Sequence, residues 1–343
     1  MLDELKYIHQ KDAQDALGVA AKQYQQLQTV FEIPKIKVHP ENIVFAGMGG
    51  SGLEALLSAT WPGYRLPFEI CRSYTIPAYV NQQTLFIASS YSGNTEETLE
   101  ALAQAQERGA IIAVITAGGQ LAKIAQEKNY PMVRSPVGYQ PRYTALFGLK
   151  AITTILQNAG LANVSETEHY LEKAANFLKA AIENWLPEVP AANNQAKQIA
   201  TELAGKSAVV YAGPLMFPAA YKWKISINEN AKTVAWCNQL PEFNHNEFIG
   251  WTSHPVDKPY GVANLLSSFE HSRVQKRFVV TERLLSGQRP AAINIEAQGS
   301  NTLEHLLYLS VFGDFVSLYL ALLNGLNPTP VELIEKFKTE LSK

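Results

Sequence analysis

The chain has 343 residues, 47% hydrophobic and 17% charged, with a formal net charge of −2. Such a composition excludes a disordered or fibrous protein, and the near-neutral balance without a Lys/Arg block speaks against nucleic acid or a membrane surface as a partner. Its two cysteines, Cys71 and Cys237, lie far apart, which argues against a disulfide framework or a cysteine zinc site and fits a reducing compartment. The length favours two domains. Acidic residues among the first six and the lack of an apolar start give no secretory signal. No apolar run is read as approaching a membrane span, so a cytoplasmic protein is expected.

In chain order, residues 11–30 read as one polar, Ala/Gln-rich helix, followed by a Pro-punctuated link to a short strand over 42–46. Gly47-Met48-Gly49-Gly50-Ser51-Gly52 then opens a helix over 53–59. Further strand-like runs occupy 67–71, 84–88, 110–116 and 131–134, with helices over 95–108 and 121–128. This alternation predicts a doubly wound parallel α/β domain, whose loops at the strand ends are where such sheets bind ligands. Residues 141–204 are almost wholly helical by pattern, and the link 187–197 marks a possible break. A second cycle follows, with strands at 207–211, 233–237, 262–266, 276–281 and 291–295 and a helix over 217–230. Helices over 302–324 and 330–341 close the chain, the first apolar nearly all round. The fold expected is α/β, with two doubly wound domains of mainly parallel sheets flanked by helices. Their spans are 1–150, and 151–343 including the helical linker.

The most informative stretch is Ser89-Ser90-Tyr91-Ser92-Gly93-Asn94-Thr95, between a buried strand and a helix. Orphan N–H groups and the positive end of the helix dipole point at whatever sits there, and Ser90, Ser92 and Thr95 add hydroxyl donors. A phosphate monoester suits that chemistry; a plain Ser/Thr N-cap is the simpler alternative. Residues 47–52 satisfy GxGxxG in the right strand-to-helix context. A dinucleotide site wants an acid at the end of the next strand, however, and the candidate Glu69 lies inside that strand, with Arg72 at its end. Together with Ser51, the two loops fit a small phosphorylated ligand better than a dinucleotide.

These two loops resemble the sugar isomerase (SIS) domain. With Gln140-Pro141-Arg142, Asn228-Glu229-Asn230, Asn244-His245-Asn246-Glu247 and a Lys-bearing C-terminal helix, the order is similar to the bifunctional phosphoglucose/phosphomannose isomerase family over nearly the whole chain. The resemblance implies two SIS-type domains and an aldose–ketose isomerase acting on glucose 6-phosphate, and on mannose 6-phosphate too, through a cis-enediolate. Gly49, Gly50, Ser51, Ser90, Ser92 and Thr95 are then the phosphate-binding set.

Isomerisation needs a base, a stabiliser for the enediolate oxygen and a proton shuttle to open the ring. Glu229, near the end of an apolar and aromatic helix, resembles the family's base; Glu242 and Glu247 compete with it, and a solvated helix-end Glu is the plain alternative. Imidazole titrates near neutrality, and His245 resembles the ring-opening group, supplied across a homodimer interface. Arg142 stands ready to hold enediolate charge. Lys338 resembles the C-terminal lysine that assists ring opening; Lys336, two residues away, faces differently on a helix and is the less favoured candidate. The histidines show no metal-ligand spacing such as HExxH, and neither a metal nor a cofactor is expected.

Rival readings are a sugar-phosphate sensor without turnover, an amidotransferase-type hexosamine isomerase and a nicotinamide dehydrogenase. Residues 1–40 lack the basic reading helix that sensors carry, and Met1 is not followed by a Cys nucleophile.

Overall fold

The computed structural model describes residues 1–36, 39–253 and 259–341. It divides into two compact units, one of Lys22–Phe177 and one of Met1–Ala21 with Leu178–Lys343.

The polar stretch expected as one helix over 11–30 is broken. Helix α1 (Leu5–Lys11) is followed by α2 (Ala16–Ala21) and a 3-10 turn (Gln23–Gln28). The break has a local cause: the Asp12 carboxylate accepts the N–H groups of Ala16 and Leu17, both at 2.8 Å, and Asp15 takes a positive φ of 55°. An aspartate so placed starts a new helix and does not continue the old one.

In the Lys22–Phe177 unit, strands β1 (Asn42–Ala46), β2 (Phe68–Cys71), β3 (Thr84–Ser89), β4 (Ile111–Thr116) and β5 (Met132–Arg134) form one parallel sheet, ordered β2-β1-β3-β4-β5. The strands are near-continuous Val/Ile/Leu/Ala runs because both faces are covered. Ile43, Phe45, Leu85, Ile87, Ala113 and Ile115 pack on one face, under α3 (Gly49–Thr60) and α6 (Ala145–Asn158). Their neighbours Val44, Ala46, Phe86, Ala88, Ile112 and Val114 pack on the other, under α4 (Glu96–Glu107) and α5 (Gly119–Glu127). Period-two alternation into two helix layers is the doubly wound architecture.

Residues 151–177 pack with this unit, although the sequence reading groups them with the second domain. Ala151, Ile152, Ile155 and Leu156 of α6 sit on the sheet. Helix α7 (Val164–Ile182) is fastened to α6 by an ion pair between Lys150 and Glu168. The compact unit therefore closes near residue 177 rather than at 150.

In the other unit, β6 (Ser207–Ala212), β7 (Ala235–Gln239), β8 (Tyr260–Leu266) and β9 (Ile293–Glu296) form a second parallel sheet, ordered β7-β6-β8-β9. Its helices are α8 (Gln195–Leu203), α9 (Phe217–Ala231), the short α10 (Glu247–Gly250), α11 (Ser272–Leu284), α12 (Thr302–Leu323) and α13 (Glu332–Leu341). The strand expected over 276–281 is part of α11. Val274, Phe278 and Leu285 reach the core at helical spacing and the His271 ring accepts the Arg273 N–H at 3.1 Å, which together override the local β preference of Phe278-Val279-Val280-Thr281.

The N-terminal arm belongs here, not to the first domain as the sequence suggests. The fully buried Lys197 ammonium reaches Asp3 at 3.0 Å and the carbonyls of Pro187 and Val189, and the Tyr7 hydroxyl donates to the Leu322 carbonyl at 2.6 Å. By length and apolarity α12 does match a membrane span, contrary to the expectation that no run does, but 94% of that stretch is buried inside the unit.

Helix α12 packs along α9. Between them lies a fully buried ion pair, Lys222 to Asp314 at 2.7 Å, with the Ser226 hydroxyl also donating to Asp314 at 2.7 Å. The Asn230 amide donates to Ser317 Oγ and the Trp223 indole N–H to the Leu309 carbonyl, both at 2.8 Å. Removing one partner strands the other charge without solvent. Asp314→Ala is expected to cost about 3–5 kcal/mol in urea unfolding, and replacing Lys222 and Asp314 together by apolar residues of similar volume to cost clearly less.

Candidate active site

Strands β1 and β3 are neighbours, in register from Asn42↔Thr84 to Ala46↔Ala88. The sheet order reverses at this pair, so the loops after both strands open at one carboxyl edge, where such sheets bind ligands. Gly49 and Gly50 begin α3, with Ser51 buried in its first turn. Gly50 has to be glycine, because a Cβ there would lie 2.7 Å from the Pro141 carbonyl oxygen. That close approach brings the 3-10 turn Pro141–Tyr143, carrying Arg142, against the start of α3. The Arg142 guanidinium is buried, 4.9 Å over the Tyr143 ring and 3.4 Å from the Gln140 side-chain oxygen.

After β3, the buried Ser90 hydroxyl lies 2.8 Å from Thr95 Oγ1 and 3.5 Å from Ser92 Oγ, and accepts the Gly93 N–H at 3.0 Å. Gly93 adopts φ +73° and packs on the Gly118 carbonyl, leaving no room for a side chain. Thr95 precedes α4 but makes no side-chain cap bond; its hydroxyl meets Ser90 instead. The simple N-cap alternative is therefore not what this turn builds. Ser90, Ser92 and Thr95 form one hydroxyl cluster, in the same unit as Arg142; a Cβ on Gly47 would lie 3.1 Å from the Ser89 carbonyl oxygen and 3.2 Å from Ser51 Cβ. Glu69, the acid a dinucleotide needs, is exposed and accepts the Tyr79 hydroxyl at 2.6 Å. The Arg72 side chain lies against the first turn of α3, its Nε 3.2 Å from where a Cβ on Gly52 would stand. A cation there suits phosphate rather than ribose.

Glu54 was not found from the sequence. It sits three residues beyond Ser51, on the same side of α3, fully buried, and accepts a hydrogen bond from the Ser89 hydroxyl. Gly148 of α6 makes the space, since any side chain there would overlap the carboxyl group. Glu54 thus ties the helix that follows the first loop to the strand end that opens the second. Burial pushes its carboxyl up to about 8, against the hydrogen bond from Ser89. Its only signal in sequence is a charge inside an apolar helix.

In the second unit Glu229 is half-buried near the C-terminal end of α9, where Lys232 ends the helix at φ +52° and donates to the Glu229 carbonyl at 2.9 Å. The rival carboxylates are committed elsewhere: Glu242 accepts the Asn246 amide at 2.6 Å, and Glu247 accepts the Tyr211 hydroxyl and the Asn238 amide. His245 is exposed at the end of a 3-10 turn, Glu242–His245. Lys338 is 62% exposed on α13, 2.9 Å from Glu335, and Lys336 is exposed as well. The three expected groups thus stand on three separate elements.

This unit repeats the same strand order, yet its equivalent cradle is filled. At the start of α9 the N–H groups of Leu215 and Met216 donate to the buried Glu270 carboxylate, at 2.9 and 3.1 Å, and Gly213 leaves it room. Among the described residues no group of three His, Cys, Asp or Glu side chains is arranged to hold a metal ion.

Residues 192–341 match the family described as bacterial phospho-glucose isomerase C-terminal SIS domain, and residues 38–130 match the SIS domain. The chain is 35% identical over 306 residues to a bifunctional phosphoglucose/phosphomannose isomerase of Aquifex aeolicus, covering 88% of this chain and 91% of that one. A D-glucosamine-6-phosphate 4-epimerase of Sulfolobus acidocaldarius is 37% identical over 225 residues, 65% of this chain and 67% of that one. Among solved structures, a glucose-6-phosphate isomerase-like protein of Thermus thermophilus matches with a TM-score of 0.66 over 98% of both chains at 19% identity, a likeness of fold.

Glu54 carries a pH signature. Its folded value of about 8 lies above the ordinary 4.5, so the folded state holds a proton that the unfolded chain has lost between those limits. The stabilisation is complete below the lower value and disappears as pH rises through the upper one, with a slope approaching about 1.4 kcal/mol per pH unit. Urea unfolding across pH 5.5 to 8 is expected to show this decline in the wild type and a flatter profile in Glu54→Gln; parallel profiles would refute it.

Proposed function

Since the chain belongs to the bifunctional phosphoglucose/phosphomannose isomerase family and is a sugar-phosphate isomerase, we propose that it interconverts glucose 6-phosphate and mannose 6-phosphate with fructose 6-phosphate through a cis-enediolate. The observation that carries this reading is the hydroxyl cluster of Ser90, Ser92 and Thr95 after β3, the strand paired in register with β1. The backbone N–H groups of Gly49 and Gly50, the hydroxyls of Ser51, Ser90, Ser92 and Thr95, and the dipoles of α3 and α4 hold the phosphate dianion. Glu229 takes the proton from C2 of the open-chain aldose and returns it to C1. Arg142 faces the negative oxygen that develops in between. His245 and Lys338 move the protons that open the ring, at the ring oxygen and the C1 hydroxyl. Glucose and mannose phosphates differ only at C2 and give the same enediol, so one base serves both if the C2–C3 bond rotates. These proton transfers require no metal or cofactor.

The proposal includes a cytoplasmic homodimer in which His245 comes from the partner. The exposure of His245, and of Leu333 and Phe337 on α13, supports this. The 4-epimerase relative favours a second reading, inversion at C4 of an aminosugar phosphate; its likeness spans less of the chain.

A coupled assay is expected to show turnover of both aldose phosphates and none of glucosamine 6-phosphate. Glu229→Gln should lower kcat by about 10²–10⁴-fold with little change in KM; a wild-type rate in that variant would refute the assignment. Ser90→Ala removes a hydrogen bond to a charged group and should raise KM by about 10-fold or more, affecting kcat less.

A further inference from the structure

Helix α11, assigned no part in the isomerisation, carries Arg273, Lys276 and Arg277 at i, i+3 and i+4, hence on one side. All three line a hollow of about 320 Å³, floored by Phe248, Val280 and Leu284. Among the described residues no carboxylate lines it, and none of the three cations is in an ion pair. Three like charges on one side of a helix repel one another beside the apolar lining, and a polyanion in the hollow relieves that repulsion. Two of the three are guanidiniums, whose planar forks match phosphate oxygens. The volume is at the small end for organic ligands. Neither Glu229 nor His245 lines this hollow.

We propose that this hollow is an effector site for a small organic phosphate, its phosphoryl group held by Arg273, Lys276 and Arg277 and its apolar body resting on Phe248, Val280 and Leu284. The site is coupled to the turn that carries His245. Arg277 donates to the Asn244 side-chain oxygen at 3.2 Å, and the Asn244 amide donates to Thr281 Oγ1 at 2.9 Å. Asn244 immediately precedes His245 in the same 3-10 turn. A phosphate that draws the Arg277 guanidinium toward itself competes with Asn244 for that donor, and so shifts the balance of conformations of the turn. This coupling rests on the role given to His245; the binding does not.

The probe is phenyl phosphate, a dianion with an apolar ring, titrated calorimetrically into the full chain and into Arg273→Glu/Lys276→Glu. Both positions are exposed, so the reversal leaves the core intact. The expected result is a binding event in the wild type, additional to the substrate-phosphate loops, that weakens at least tenfold in the double variant and with inorganic phosphate as titrant. Identical isotherms for the two proteins would overturn the site. For the coupling, phenyl phosphate at saturating fructose 6-phosphate should change kcat in the wild type and not in the double variant. Binding with unchanged kcat would overturn the coupling alone, and absence of turnover in the wild type before any phenyl phosphate is added would instead overturn the isomerase reading.

Discussion

The ion pair between Lys222 and Asp314 is the constraint on which the C-terminal unit depends. Helix α12 is apolar nearly all round, and apolar contact is non-directional, so hydrophobic burial alone leaves its rotation and register against α9 open. Lys222, Ser226 and Asn230 recur every four residues along α9 and each meets a polar partner on α12. Only one rotation of α9 satisfies all three. That rotation decides which side of the helix presents Glu229, so the group read as the base owes its position to this buried polar row.

In the other unit the corresponding role falls to close backbone packing. Glycine at position 50 lets the Arg142 turn press on the start of α3, and glycine at 93 lets the second loop fold onto the turn before α5. Glu54 then joins the two loops from beneath. The Ser90, Ser92 and Thr95 hydroxyls are held by one another and by the loop backbone, the condition the proposed phosphate site needs for its donors to wait in place.

Much of this was legible in the residues. The buried strands announce themselves as short apolar runs, and both loops as Gly and hydroxyl clusters between strand and helix. What was hidden depended on distant partners. Phe278-Val279-Val280-Thr281 reads as strand because nothing local shows that Val274 and Leu285 share its buried side. The stretch 11–30 reads as one helix because Asp12 shows its capping role only once the chain turns. The placement of residues 151–177 and of the N-terminal arm follows from α6 on its sheet and from Lys197 gripping Asp3, contacts between segments far apart in sequence. Glu54 and Glu270 are single acids whose surroundings come from segments far away in sequence, Ser89 and Gly148 for the first and residues 213–216 for the second.

Glu270 has a consequence for how labour divides between the two repeats. Each has a helix start after its first strand whose dipole calls for a negative charge. In the C-terminal repeat the chain answers with its own carboxylate, which takes up the N–H groups of Leu215 and Met216. The two repeats therefore differ at the same point of a shared architecture. What Glu270 supplies to one repeat from within the chain, the proposed reading has the other repeat receive from its substrate.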